Sequence, residues 1–239
     1  MKIAIIVPME IEATYYQKYF HSGTKEVFGS CVFEHFSGTK NDIYIGLSGI
    51  GKVQAAMNLT SLLSQIKIDL VLMTGTAGSL QTFVHRSDLI LADSFSYHDA
   101  HNTLAGNYVE GQIPGEPAEF RLESPAKTAF ADFLQAENIK VQTGLIVTGD
   151  SFIGSDEQKV IIKTNFPDAL GVEMEGAAFA QVADHFKTPL IALRAISDNG
   201  DQEADGDFDH FAQEVGAKAA KLICKYLKKM MKNDASLFG

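Results

Sequence analysis

Residues 2–7 form an almost unbroken apolar run, and residues 10–20 then place apolar side chains at helical intervals. A strand buried on both faces of a sheet needs such a run, so the chain opens as strand then helix. Strand-like stretches follow near 29–36 and 42–47. A helical stretch covers 52–66, where Val53, Ala56, Met57, Leu59, Thr60 and Leu63 recur on one face. Residues 70–73 read as a short buried strand. Apolar runs at 89–92, 145–147, 170–172 and 190–196 then alternate with helical stretches near 124–136, 156–164 and 175–186. A last helix spans about 207–232 and ends in Lys225, Lys228, Lys229 and Lys232, which suit the negative end of its macrodipole and read as a solvated face. The alternation predicts an α/β sandwich around a largely parallel sheet.

Two stretches break this rhythm. Residues 96–120 are polar, carry Gly106, Gly111, Pro114, Gly115 and Pro117, and are too long for an ordinary connection, so they are expected to form a lid or an oligomer contact. Residues 233–239 read as a frayed tail. With no composition shift or repeat to mark a linker, residues 1–239 are expected to form one domain.

Composition narrows the class. A hydrophobic fraction of 46% suits a chain with a sizeable core, and no apolar run approaches the ~20 residues that span a bilayer, so a soluble protein is expected. The short apolar run at the N-terminus lacks a signal-peptide cleavage site. Cys31 and Cys224 match no metal or redox spacing, which points to the cytoplasm. A net charge of -10 disfavours nucleic acid and anionic membrane as partners and favours a small molecule.

Ligands of α/β sheets bind beyond the carboxyl ends of the strands, so the residues just after each apolar run carry the chemical information. Those are Pro8-Met9-Glu10-Ile11-Glu12, Thr74-Gly75-Thr76-Ala77-Gly78, Thr148-Gly149-Asp150-Ser151-Phe152, Glu173-Met174-Glu175 and Ser197-Asp198. Four of the five contain acids. Glu10 is accounted for by the dipole of the helix it opens, whereas Glu12 gains weight from the other edge acids. Glu173 and Glu175, at i and i+2, are expected to point apart, leaving one to face a ligand. Ser197-Asp198 fits an Asx turn as well as it fits a catalytic acid. Phe152 is either core or a surface on which a flat base stacks. Ser48-Gly49-Ile50-Gly51-Lys52 lacks the spacing of a phosphate loop and, with Gln54 in place of the third glycine, of a dinucleotide fingerprint, so it reads as a tight turn. His98 and His101 have no third ligand at metal-site spacing. Neither a metal nor a cofactor is expected.

Taken in order, these segments resemble the 5'-methylthioadenosine/S-adenosylhomocysteine nucleosidases of the purine nucleoside phosphorylase superfamily. The likeness rests on Met9-Glu10-x-Glu12, Ser48 to Val53, Thr74 to Gly78, Tyr97-His98-Asp99-Ala100, Gly149 to Ile153, Val172 to Ala178 and Arg194 to Asp198. It implies a three-layer αβα sandwich around a twisted mixed, largely parallel sheet. It also implies hydrolysis of the N-ribosidic bond of 5'-methylthioadenosine, S-adenosylhomocysteine and 5'-deoxyadenosine in methionine salvage. By the same resemblance Asp198 protonates the departing adenine, Glu12 activates water, Glu175 holds the ribose hydroxyls and Met174 packs beneath the sugar. Phe152 stacks on adenine, Ile153 offers its backbone, Thr76 and Arg194 line the water and ribose region, and Ser197 orients Asp198. Ile50, Gly78 and Glu173 complete the substrate site. The family also implies a homodimer in which residues 96–120 reach the partner's site.

Two departures stand out. Thr76 replaces the more usual serine, and 103–109 reads Thr-Leu-Ala-Gly-Asn-Tyr-Val where relatives carry a phenylalanine-glycine-tyrosine pattern. The competing readings are a phosphorolytic relative, another nucleoside hydrolase of the superfamily acting on futalosine or AMP, and a nucleoside-binding protein without catalysis. A carboxylate at Glu12 repels a phosphate dianion and suits a water, which favours hydrolysis.

Overall fold

The computed structural model describes residues 1–20, 23–198, 208–232 and 237, the side chains of Asp198 and of residues 208–213 excepted. The elements run β1 (Lys2–Val7), α1 (Glu10–Tyr19), β2 (Thr24–Phe28), β3 (Cys31–Ser37), β4 (Asp42–Leu47), α2 (Lys52–Leu63), β5 (Leu70–Ser79) and β6 (Leu89–Tyr97). They continue with β7 (Phe120–Arg121), α3 (Pro125–Ala136), β8 (Gln142–Thr148), α4 (Asp156–Asn165), β9 (Gly171–Glu173), α5 (Gly176–His185), β10 (Leu190–Asp198) and α6 (Phe208–Met230).

The sheet is mixed. Its centre, β4–β1–β5–β10, is parallel throughout, and the β2–β3–β4 meander forms an antiparallel edge. Beyond β10 come β6, β8 and β9, and β9 pairs back onto the end of β5 through Gly78 with Val172 and Ser79 with Gly171. The sheet therefore rolls round on itself at the carboxyl end of β5, and that roll gathers the ends of β5, β9 and β10 about one cleft.

Two strands outrun their hydrophobic signal. β5 continues through Thr74–Gly78, beyond the 70–73 stretch, because those residues keep pairing with β10. β6 continues past Ala92 because its buried hydroxyls are satisfied: Ser94 donates to Glu119 and Ser96 to the Ala118 carbonyl. β2 is a strand the pattern did not predict, since Thr24 and Lys25 lie at an exposed sheet edge that needs no apolar alternation.

Helices cover both faces. On one, α2 and α5 pack Ala55, Leu59, Ala177 and Phe179 against Ile6, Met73 and Phe95; on the other, α1, α3 and α6 pack Tyr16, Phe130 and Ile223 against Ile5, Leu72 and Leu193. α4 covers the rolled end through Ile162. Of the lysines expected to form a solvated face on α6, Lys225 pairs with Glu137 and Lys229 lies over the Phe133 ring. The tail read as frayed falls outside the described residues except for Leu237, which is buried in this layer. Between Tyr97 and Phe120 the chain forms turns, tied by Asn102 and Gln112 to backbone carbonyls and by Glu116 to His185. No described helix is long and apolar enough to cross a membrane.

Candidate active site

α1 begins just beyond β1, and Glu12 occupies its third position. There the carboxylate turns back to accept the Met9 N–H at 3.2 Å, which satisfies one of the donors that a helix start leaves open. Its other oxygen accepts the Thr76 N–H at 2.9 Å and the Thr76 hydroxyl at 3.2 Å. Glu12 is nearly inaccessible, and burial pushes its carboxyl above the ordinary range against the opposing pull of Arg194, Met9 and Thr76. A carboxylate whose pKa is raised is a stronger base than a free one.

Arg194, on β10, is buried between the acid that ends β9, Glu173, and Glu175 just beyond it. Its guanidinium bonds Glu173 and lies 3.2 Å from Glu175. The two acids therefore converge on one cation instead of pointing apart. The strand ends at Glu173 and the helix starts only at Gly176, with Glu175 as a non-helical N-cap (φ −133°, ψ −31°), so helical spacing does not apply to the pair. Glu173 is used up internally: it accepts the N–H groups of Glu175 and Gly176, the Thr148 hydroxyl and Arg194. Glu175 keeps more capacity for a ligand, accepting the Gly51 N–H at 3.0 Å besides Arg194. Burial and the neighbouring Glu173 push its carboxyl up to about 7, with Arg194 and Gly51 pulling the other way. Burial would lower the Arg194 pKa, but Glu173, Glu175 and Glu12 together raise it.

Glu12, Ile50, Thr76, Gly78, Phe152, Glu173, Met174, Glu175, Arg194 and Ser197, all singled out from sequence, line one cleft. Pro8, Met9 and Ala77, from the segments at the strand ends, and Val172, beside Glu173, join them. Ile153 is buried in a cluster with Val147 and Val172 and does not line the cleft. Asp198 ends β10 in register with Gly78, while its side chain lies outside the described atoms. Ser197 donates to the Ala77 carbonyl at 3.4 Å. His98 is buried, with burial lowering its pKa, whereas His101 pairs with Glu110 on the loop. The cleft thus combines an apolar lining, Ile50, Ala77, Phe152, Val172 and Met174, with three carboxyl groups and one arginine.

Residues 2–228 match the family model described as the phosphorylase superfamily. A 5'-methylthioadenosine/S-adenosylhomocysteine nucleosidase of Staphylococcus carnosus is 39% identical over 189 residues, 79% of this chain and 82% of that protein. The chain belongs to this nucleosidase family. Among solved structures, the S-adenosylhomocysteine nucleosidase of Streptococcus pyogenes, in complex with 5-methylthiotubericidin, is 33% identical with a TM-score of 0.89, covering 96% of this chain and 97% of that one. The 5'-methylthioadenosine/S-adenosylhomocysteine nucleosidase of S. pneumoniae, bound to a transition-state inhibitor, is also 33% identical at a TM-score of 0.89, covering 96% and 100%.

Within this nucleosidase chain the 103–109 departure falls on the most exposed part of the loop, with Leu104 fully exposed and Val109 more than half exposed. The Thr76 departure is conservative in geometry, since its hydroxyl still reaches Glu12.

Proposed function

We propose that the chain hydrolyses the N-ribosidic bond of 5'-methylthioadenosine, S-adenosylhomocysteine and 5'-deoxyadenosine, releasing adenine as a step in methionine salvage. The observation that carries this is the buried cluster of Glu12, Glu173 and Glu175 around the single cation Arg194. A site with more carboxyl groups than cations disfavours a phosphate dianion and stabilises a ribosyl group that becomes positive as the bond breaks. Water is then the nucleophile. Glu12, raised by burial and held by Thr76, takes the proton of that water. Glu175 holds the ribose hydroxyls, with Met174 beneath the sugar and Arg194 and Thr76 bounding the water. The base lies against Phe152, with Ile50 opposite. Asp198, oriented by Ser197, protonates the departing adenine. One carboxyl as base and one as acid about a ribosidic bond follows the two-carboxylate logic of sugar hydrolysis.

The active unit is a homodimer in which residues 96–120 approach the partner's cleft. This is supported by exposed apolar residues on α2 and just after α5, Val53, Met57 and Phe186. A cytoplasmic address agrees with two free, buried thiols at Cys31 and Cys224.

The deciding experiment is adenine release from 5'-methylthioadenosine, S-adenosylhomocysteine, 5'-deoxyadenosine, inosine and AMP, with and without phosphate. Release from the first three in phosphate-free buffer is expected. Turnover that requires phosphate, or that is confined to inosine or AMP, overturns the proposal.

A further inference from the structure

The turn carrying Ile50 and the loop carrying Phe152 lie about a hundred positions apart in sequence, yet a polar network joins them beside the cleft. The Lys52 N–H donates to Asp150 Oδ1 at 2.8 Å. The Lys52 ammonium bonds both oxygens of Asp99, at 2.7 and 2.6 Å, and stands 3.6 Å from Asp150 Oδ2. Asp99 Oδ2 in turn accepts the Asp150 N–H at 2.9 Å. The ammonium also lies 5.4 Å from the centre of the Tyr97 ring, whose hydroxyl donates to Gln181 on α5. One residue before Lys52, the Gly51 N–H donates to Glu175. Gly51 adopts φ +96°, and a Cβ there would come within 3.0 Å of Asp150 Oδ1, so the close approach of the two segments depends on glycine.

The network sits next to two residues that burial does little to fix. Ile50 is 54% exposed and Phe152 is 55% exposed, although both line the cleft. Partly exposed ion pairs contribute little to global stability, so stability alone does not account for three charged groups joined in this way.

We propose that Lys52, Asp99 and Asp150 form a clamp that sets the gap between Ile50 and Phe152, and thereby how tightly the cleft takes the base of an adenine nucleoside. The inference rests on the function proposed above and adds positioning residues to it. None of the three has a role in proton transfer to the base or water. By holding both walls in place beforehand, the clamp spares the ligand the cost of ordering them on binding. Its loss then weakens binding of substrate and transition state alike, which raises KM and leaves kcat nearly unchanged.

The test compares the full-length chain with K52M, K52R and D99N, measuring kcat and KM for 5'-methylthioadenosine and the Kd of adenine by titration calorimetry. K52M and D99N are expected to raise KM and the adenine Kd together by about tenfold with kcat within about twofold, and K52R, which keeps the charge, to recover most of the loss. Wild-type KM and Kd in K52M overturn the clamp, as does a fall in kcat at unchanged KM. A wild-type chain that binds adenine without cleaving any nucleoside defeats the proposed function, and the clamp then stands or falls on the adenine titration. A wild-type chain that neither cleaves nor binds overturns both.

Discussion

Glu12 stands in the first turn of α1 and Asp198 at the end of β10. Both are acids just past an apolar run, and each alone fits a helix start or a turn. What separates Glu12 from an ordinary first-turn acid is its surroundings: nearly complete burial, a hydroxyl and N–H from Thr76, and Arg194 close enough to oppose the upward push on its carboxyl. None of that is visible locally in sequence, because Thr76 and Arg194 arrive from β5 and β10. Glu10, by contrast, shares the helix start without sharing the cleft. If Glu12 activates the water and Asp198 protonates the base, Glu12→Gln and Asp198→Asn should each lower kcat by about 100-fold or more, since each removes a proton transfer while keeping the side chain's shape. Steady-state adenine release measures this. Turnover near wild type in either variant would remove that residue from the mechanism.

At the scale of elements, strands and helices were legible wherever one face or both faces are apolar, which covers β1, β8, β10 and most helices. The misses share a physical cause. β2 is an edge strand, and the far halves of β5 and β6 are polar or glycine-containing segments held by pairing with strands remote in sequence, which no local pattern encodes. The same holds for the acids at the end of β9 and just beyond it. Helical spacing assigns Glu173 and Glu175 to different directions, yet the bend between β9 and α5 turns both to Arg194. That bend depends on Gly176, where a Cβ would collide with the Phe95 ring of β6. Gly176→Ala should force the start of α5 away from β6, carrying Glu175 with it and disturbing the N–H that Glu173 accepts. Overpacking of this kind costs about 1–3 kcal/mol, readable as a lowered urea midpoint, and KM for the nucleoside should rise in the same variant. A variant with unchanged midpoint and KM would show that the helix start is not held by this contact.

For the whole molecule, the exposed apolar side chains of α2 gain meaning only if a second copy covers them. Sedimentation should find a dimer, and Val53→Glu, which puts a charge on the most exposed of them, should yield monomers with reduced turnover. A wild-type chain that sediments as a monomer ends the dimer proposal. The acidic cluster of the cleft has a consequence for global stability that does not depend on assembly. Glu175 has an ordinary value of 4.5 and is held at about 7 in the folded chain, chiefly by burial and by Glu173. Between those pH values the folded chain keeps a proton that the unfolded chain has lost. That contribution is fully present below about 4.5 and is lost as pH rises through about 7. Glu12, also raised by burial, acts in the same direction. A proton held by the native state alone gives a slope of at most about 1.4 kcal/mol per pH unit. Glu175→Gln removes the titration and nearly preserves the shape. Urea unfolding of the ligand-free wild type and of E175Q, from about pH 5 to about pH 8, should therefore show the wild type losing stability relative to the variant as pH rises. Were the wild type instead to gain on E175Q across that window, Glu175 would be an ordinary ionised carboxylate stabilised by Arg194. The cleft would then owe its character to the arginine and not to the crowding of its acids.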